Sequence, residues 1–330
     1  MRSDNSNMTI NYTVRPCKSV ERKMMCEMIS AIGEISPITD STSRYIGMGA
    51  KFFTDFSLIH RMFGLTEMYS IEKSSSEEDI KRFEFNKPYN CITMIFQRTT
   101  DFLNSTKFPP KDKRNIIWLD YDGGFRSDML QDVQISVKKS SSFSLIFVSL
   151  NIDFGSKYKA ACPSDKLEIF NIRVGNDNYT KNVRPKDLAG DGLIRSIIKI
   201  FNLAIEEALL DINSGERGEN DLQCKQIACF KYADSQAPML TIGWITYYKN
   251  EIDTVNNCKI KKLDYYNETD SPYDISVPPL TLKEVGVLNR NLPNIQLPVP
   301  GAEFLTKDEV TKYSKIYRYY PALTESNMVL

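Results

Sequence analysis

The stretch RYIGMGAKFFTDFSLIHRMFGLTEMYSIEK, residues 44–73, decides the fold. Its first residues form a short β-type run that stops at Gly47 and Gly49. Apolar residues then recur at helical spacing over residues 53–63, and a second β-type run follows, directly before Glu72. The pattern predicts a strand–helix–strand unit with a glycine turn after the first strand and an acid after the second.

Such a unit is typical of α/β folds that bind a nucleoside. Glycines at positions Gly47 and Gly49 let the backbone approach a ligand, and a carboxylate at Glu72 accepts hydrogen bonds from two ribose hydroxyls. A structural alternative remains for each position. The glycines also suit a tight turn with close strand–helix packing, and Glu72 also suits a solvated acid paired with Lys73 or Lys81.

Further strands follow the first two along the chain. Three apolar runs, Cys91–Phe96, Asn115–Leu119 and Phe143–Leu150, are typical of parallel strands buried on both faces. Residues Leu222–Ala233 and Met239–Tyr248 then predict two strands joined as a long antiparallel hairpin. The sequence therefore predicts a mostly parallel α/β sheet that ends in an antiparallel hairpin.

Composition excludes several classes of function. The 330 residues carry 42 basic and 42 acidic side chains, which argues against a nucleic-acid footprint over the whole surface. Seven cysteines without a CxxC motif and a single histidine, His60, do not form a zinc pattern, so we expect no metal site and mostly reduced thiols. With no signal peptide and no long apolar run, we expect a cytoplasmic protein without membrane contact.

The chain divides into three parts. Residues 1–43 comprise a loose tail over 1–13 and a helix over 20–35, residues 44–250 comprise the α/β domain with an insertion at 151–192, and residues 251–330 comprise a proline-rich C-terminal arm with a helical piece over 307–317. We expect the insertion to cover the carboxyl edge of the sheet or to join a substrate pocket. We expect the extended arm to wrap the core or to contact a protein partner or a second copy of the chain.

The order of these elements resembles a class I S-adenosylmethionine-dependent methyltransferase over about residues 44–248. Five α/β strands, a helix and a terminal antiparallel hairpin give that family its seven-stranded, Rossmann-like sheet, whereas a dinucleotide-binding domain would end with another parallel strand. The resemblance implies S-adenosylmethionine as cofactor.

Residue by residue, the resemblance gives a candidate site. It implies cofactor contacts from residues after the first four strands, namely Gly47, Gly49, Glu72, Asp101 and Asp120. Two positions depart from the family pattern, because Tyr45 stands where an acid is usual and Lys51 lies near the place of a third glycine. The segment Arg15–Lys18 would supply missing contacts if it folds over the site.

The catalytic candidates are Asp120 and Asp122. Both follow a buried strand, at the edge of the sheet that faces the ligand crevice. One carboxylate would orient or deprotonate the atom that attacks the methyl group. The structural alternative is an Asx-type turn that leads into Gly123 and Gly124.

These observations predict a methyltransferase whose acceptor is a small molecule, a nucleic acid or a protein. The alternative is a non-catalytic methyltransferase-like protein that senses a nucleotide or acts as an assembly partner in a larger complex. A nicotinamide-dependent oxidoreductase fits the opening unit, residues 44–73, but does not fit the terminal hairpin.

Overall fold

A computed structural model describes residues 15–73, 76–215, 218–234 and 238–321. The loose tail predicted over residues 1–13 lies outside the described residues. The chain forms one eight-stranded sheet in the order β3-β2-β1-β4-β5-β7-β6-β8. The strands are β1 Ser43–Gly47, β2 Met68–Ile71, β3 Ile92–Ile95, β4 Arg114–Gly124, β5 Leu145–Asn151, β6 Leu222–Tyr232, β7 Met239–Tyr248 and β8 Tyr273–Ile275.

The predicted fold class is confirmed. Strands β1 to β5 pair in parallel, and β7 pairs antiparallel with both β5 and β6. The short strand β8, which the proline-rich sequence did not predict, adds an eighth strand parallel to β6. The strand order reverses beside β1, so β1 and β4 diverge there and open a crevice at their carboxyl ends.

Helices cover both faces of the sheet. They are α1 Pro16–Gly33, α2 Thr54–Phe63, α3 Glu77–Asn86, α4 Thr99–Asn104, α5 Ser127–Lys139, α6 Gly155–Ala160, α7 Pro163–Val174, α8 Asp177–Thr180, α9 Asp191–Ile212, α10 Ile252–Asn256, α11 Leu282–Asn291 and α12 Lys307–Ile316. Successive strand residues alternate between the two layers. On β4, for example, Ile117 and Leu119 join one apolar cluster and Ile116 and Trp118 join the other.

Helix α1 begins four residues before the predicted helix. Pro16 occupies its first turn, where a missing N–H costs nothing, and Asp234 accepts hydrogen bonds from the backbone N–H groups of Cys17 and Lys18. The predicted apolar face of this helix is fully buried against the sheet. Since Asp234 follows β6, the hairpin fixes the start of α1.

The C-terminal segment packs on the outer side of α1. The Tyr265 hydroxyl donates to Glu27 at 2.6 Å, and Lys23 Nζ donates to the carbonyl of Tyr319 at 2.9 Å. The helical piece predicted over residues 307–317 is α12, and together with α11 it encloses a small apolar cluster of its own. The segment is therefore more regular than its prolines suggested, because it buries apolar side chains between short helices.

The insertion predicted at 151–192 forms helices α6, α7 and α8 and a 3-10 turn, Pro185–Leu188. Phe154 and Phe170 stack with ring centroids 6.1 Å apart, and Phe170 also stacks on Phe125. A Cβ atom added to Gly124 would lie 2.8 Å from Nη1 of Arg173 in α7. The insertion thus lies beside the loop that leaves β4.

Candidate active site

A cavity of about 760 Å³ opens at the carboxyl ends of β1, β2 and β4. Five of the six residues selected from the sequence line it, namely Gly49, Glu72, Asp101, Asp120 and Asp122. These residues come from segments that are distant in the sequence, and the parallel strands bring them to one edge of the sheet.

The glycine turn after β1 is held by the end of β2. The backbone N–H of Gly49 donates to Ser70 Oγ at 3.1 Å, and that of Ala50 donates to Glu72 Oε1 at 2.6 Å. A Cβ atom at Gly49 would lie 2.5 Å from the ring of Phe53, so only glycine fits this position. Glu72 is 5% exposed, which excludes a solvated loop acid and fixes its carboxylate in the cavity wall.

Gly47 is not among the residues that line the cavity. It ends β1, and a Cβ atom at this position would lie 2.8 Å from the hydroxyl oxygen of Tyr45. Its environment matches the structural alternative of a turn with close packing.

A buried lysine reaches Asp120 from helix α1. Lys18 Nζ lies 2.8 Å from Asp120 Oδ1, 2.9 Å from Glu21 Oε2 and 3.0 Å from the hydroxyl of Tyr232. It also lies 4.5 Å from the centre of the Trp118 ring, and the Lys18 side chain is 1% exposed. A buried ammonium needs these partners, since an unpaired buried charge is costly in free energy.

Asp122 and Asp101 are more exposed members of the site. Asp122 lies in the irregular part of β4, where the register with β5 shifts between Asp120 and Gly124. Asp101 lies in the first turn of α4. Both side chains face the cavity from its outer rim, whereas Asp120 is 19% exposed and lies deeper.

Tyr45, which stands where the family pattern has an acid, contacts a buried acid of the next helix. Tyr45 donates its hydroxyl hydrogen bond to Asp55 Oδ2, at the start of α2, and Asp55 lines the cavity together with Arg22. Burial raises the pKa of Asp55, while the Tyr45 hydrogen bond and the Arg22 charge oppose that rise. Neither Arg22 nor Asp55 was selected from the sequence.

A second buried acid, Asp132 of α5, also lines the cavity. Its carboxylate accepts hydrogen bonds from the hydroxyls of Thr100 at 2.6 Å and Tyr121 at 2.5 Å. Burial raises the pKa of Asp132 to about 6. The network ties α5 to helix α4 and to strand β4. Sequence analysis missed it because Asp132 is an ordinary polar residue within a predicted helix.

The charge of the cavity is predominantly negative. Seven of its lining residues are acidic and four are basic. Such a surface repels polyanions and attracts cations. The single histidine is not among the cavity residues. His60 Nδ1 lies 2.8 Å from the carbonyl oxygen of Leu65, and the His60 ring packs against Tyr89 with the centroids 4.1 Å apart.

Within residues 15–73, 76–215, 218–234 and 238–321, no group of three or more His, Cys, Asp or Glu side chains is arranged to hold a metal ion. Over the same part of the chain, no helix combines the length and the apolar character needed to cross a membrane.

Comparison with known proteins gives one family match. The model of a family described as "Putative O-methyltransferase" matches residues 10–328. No curated protein matches the chain.

Solved structures resemble the fold at low identity. The plantazolicin methyltransferase BamL, solved with a triazolic desmethylPZN analog and SAH, is 11% identical, with 69% of this chain and 85% of that chain covered and a TM-score of 0.38. An rRNA methylase from Streptococcus thermophilus is 8% identical, with 69% and 94% covered and a TM-score of 0.33. A chain of a fibrillarin/Nop5p complex is 8% identical, with 70% and 82% covered and a TM-score of 0.35.

Proposed function

We propose that this chain, which belongs to the family described as "Putative O-methyltransferase", transfers a methyl group from S-adenosylmethionine to a hydroxyl oxygen of its acceptor. The observation that carries the proposal is the ion pair between Lys18, which is buried, and Asp120, which lines the cavity at the end of β4.

The residues of the cavity fit the cofactor. Glu72, held by the backbone N–H of Ala50, is placed to accept hydrogen bonds from ribose hydroxyls. Gly49 would let the backbone approach the ligand closely, and Asp101 would face the adenine, as the resemblance implies. The excess of acidic side chains suits a cationic sulfonium and opposes the diphosphate of a dinucleotide.

When bound, S-adenosylmethionine supplies an electrophilic methyl group on a positively charged sulfur. The Asp120 carboxylate would accept a hydrogen bond from the acceptor hydroxyl, align its oxygen with the methyl carbon and take its proton. Lys18 would hold Asp120 through Oδ1 and stabilise negative charge as it develops on the attacking oxygen. Transfer would form a carbon–oxygen bond as the carbon–sulfur bond breaks, and the electron pair would stay on the uncharged thioether sulfur of S-adenosylhomocysteine.

The ammonium of Lys18 favours oxygen over nitrogen as the acceptor atom. A cation 2.8 Å from Asp120 stabilises an alkoxide or phenolate in the same place. A neutral amine instead gains positive charge as it attacks the methyl group, and a neighbouring ammonium does not stabilise that charge. The electrostatics of the pair therefore agree with the family description.

The alternatives from the sequence have less support. The comparisons give no support to a non-catalytic assembly partner, since the family is described by an activity. The nicotinamide-dependent oxidoreductase is opposed by the antiparallel strand β7 and by the acidic cavity.

The experiment that tests the proposal is transfer of a labelled methyl group. The full chain is incubated with methyl-labelled S-adenosylmethionine and two matched panels of acceptors, one of neutral alcohols and phenols and one of the corresponding amines. We expect label in the hydroxyl panel and its loss in Asp120→Asn. Label confined to the amine panel, or transfer that Asp120→Asn leaves unchanged, would contradict the proposal.

A further inference from the structure

Arg22 and Asp55 are two oppositely charged residues in the wall of the cavity. Arg22 is 6% exposed and Asp55 is 9% exposed. Both also line a small apolar pocket beneath the cavity, with Cys26, Ile59 and other residues of α1 and α2. Both residues therefore lie where α1 packs on α2, and both contribute to the cavity wall.

Their charges act on each other directly. Burial raises the pKa of Asp55, and the Arg22 guanidinium is among the groups that pull it back down. The Tyr45 hydroxyl also donates a hydrogen bond to Asp55 Oδ2. Packing alone does not explain why two charged groups lie here. Removing opposite charges from water costs more free energy than burying apolar side chains of similar size would.

The pair lies beside the proposed methyl-transfer centre. Arg22 follows Lys18 by four residues on α1, so both side chains project from one face of that helix. Asp55 belongs to the first turn of α2, immediately after the turn that contains Gly49. A ligand with its ribose at Glu72 and its sulfur near Asp120 would have Arg22 and Asp55 in the same cavity for its remaining end.

We propose that Arg22 and Asp55 bind the amino-acid end of S-adenosylmethionine, with the guanidinium on the α-carboxylate and the Asp55 carboxylate on the α-ammonium. This inference rests on the proposed function and deepens it. An α-amino acid is a zwitterion, and a neighbouring cation and anion complement it in both charge and direction. The pair thereby takes over the role of the acid that Tyr45 replaces.

The test compares two ligands that differ only in the amino-acid end. Calorimetry measures the binding of S-adenosylhomocysteine and of 5′-methylthioadenosine, which keeps the adenosine and the thioether, to the full chain. Since charge-assisted contacts at both ends of the zwitterion are lost, we expect the first ligand to bind roughly 100-fold more tightly than the second. Arg22→Gln and Asp55→Asn should each reduce that ratio by about 10-fold while leaving the affinity for 5′-methylthioadenosine unchanged.

Arg98→Gln is the matched control, because Arg98 lines the same cavity away from this pair and its change should leave the ratio intact. Binding of 5′-methylthioadenosine reports that each variant is folded. If Arg22→Gln does not fold, the result for Asp55→Asn decides the test. That variant should fold, since asparagine still accepts the Tyr45 hydrogen bond. An unchanged ratio in the folded variants overturns the inference and leaves the proposed function intact. Failure of the unaltered chain to bind either ligand contradicts the proposed function itself.

Discussion

Lys18 and Asp120 form an ion pair with 2.8 Å between Nζ and Oδ1, although 102 residues separate them in the chain. The contact joins the first helix to the end of the central strand β4. Because Asp234 holds the N-terminus of α1, the terminal hairpin also fixes the position of this lysine. The site therefore combines the N-terminal helix with the α/β domain, and the terminal hairpin positions that helix.

Replacement of Asp120 by Asn should remove catalysis and spare cofactor binding. Asparagine keeps an oxygen for the Lys18 hydrogen bond but is neither a base nor an anion, so we expect kcat to fall by roughly 100-fold or more. The Kd for S-adenosylhomocysteine should change by less than about 3-fold, since this ligand lacks the methyl group and the acceptor. Asp128→Asn, at the exposed rim of the cavity, is the control and should keep full activity. Equal loss of binding in Asp120→Asn would assign Asp120 to the cofactor instead.

Replacement of Glu72 by Gln should weaken the binding of the cofactor. The amide retains an acceptor for the N–H of Ala50 but loses the charge that strengthens hydrogen bonds from ribose hydroxyls, so we expect an increase in Kd of about 10-fold to 100-fold. Calorimetry with S-adenosylhomocysteine measures it, and Glu78→Gln on the exposed side of α3 is the control. Unaltered affinity would show that Glu72 acts only on the turn.

Asp132 predicts a specific dependence of stability on pH. Burial raises its pKa from the usual 3.8 to about 6. The folded chain therefore keeps this proton over a pH range in which the unfolded chain has released it. The contribution of this group is complete below about pH 4 and is lost as the pH rises through about 6, a loss on the order of 3 kcal/mol.

The comparison of the native chain with Asp132→Asn isolates this group. Urea unfolding at intervals from pH 4 to pH 7 gives the free energy of unfolding of each protein. Relative to the variant, the native chain should lose stability as the pH rises. A difference that stays constant, or that grows in favour of the native chain, would contradict a raised pKa.

Gly49 and Gly286 predict opposite responses to the same substitution. A Cβ atom at Gly49 would lie 2.5 Å from Phe53 and 2.9 Å from Ser70 Oγ. Gly49→Ala should therefore lower the free energy of unfolding by about 1–3 kcal/mol and weaken the binding of S-adenosylhomocysteine. At Gly286, within α11, an added Cβ atom would meet no atom within 4 Å apart from its chain neighbours and the backbone of its own helix. Alanine should therefore stabilise the fold by about 0.5–1 kcal/mol. Urea unfolding measures both, and similar effects at the two positions would show that the turn tolerates a side chain.

The strand ends of the site were predictable from the sequence. Apolar runs define the strands, and parallel strands bring their carboxyl ends to one edge, which is why Glu72 and Asp120 line the cavity as expected. Gly49 was predictable for the same reason. Gly47 shows the limit of a motif, because its neighbour Tyr45 fills the space beside it.

The contributions of α1 and α2 were much harder to predict. Only a suggestion that Arg15–Lys18 folds over the site anticipated Lys18, and nothing in the sequence pointed to Arg22. Their positions depend on how α1 docks against the sheet, which long-range contacts such as that with Asp234 decide. Asp55 was concealed for a related reason, since its partner Tyr45 lies on another element and its burial follows from the packing of α1 on α2.

The most direct measurement is a calorimetric titration of the full-length chain with S-adenosylhomocysteine, with NAD as the competing ligand class. We predict a single site for S-adenosylhomocysteine that Glu72→Gln weakens, together with no measurable binding of NAD to the acidic cavity. A folded chain that binds NAD, or that binds neither ligand, would contradict the account.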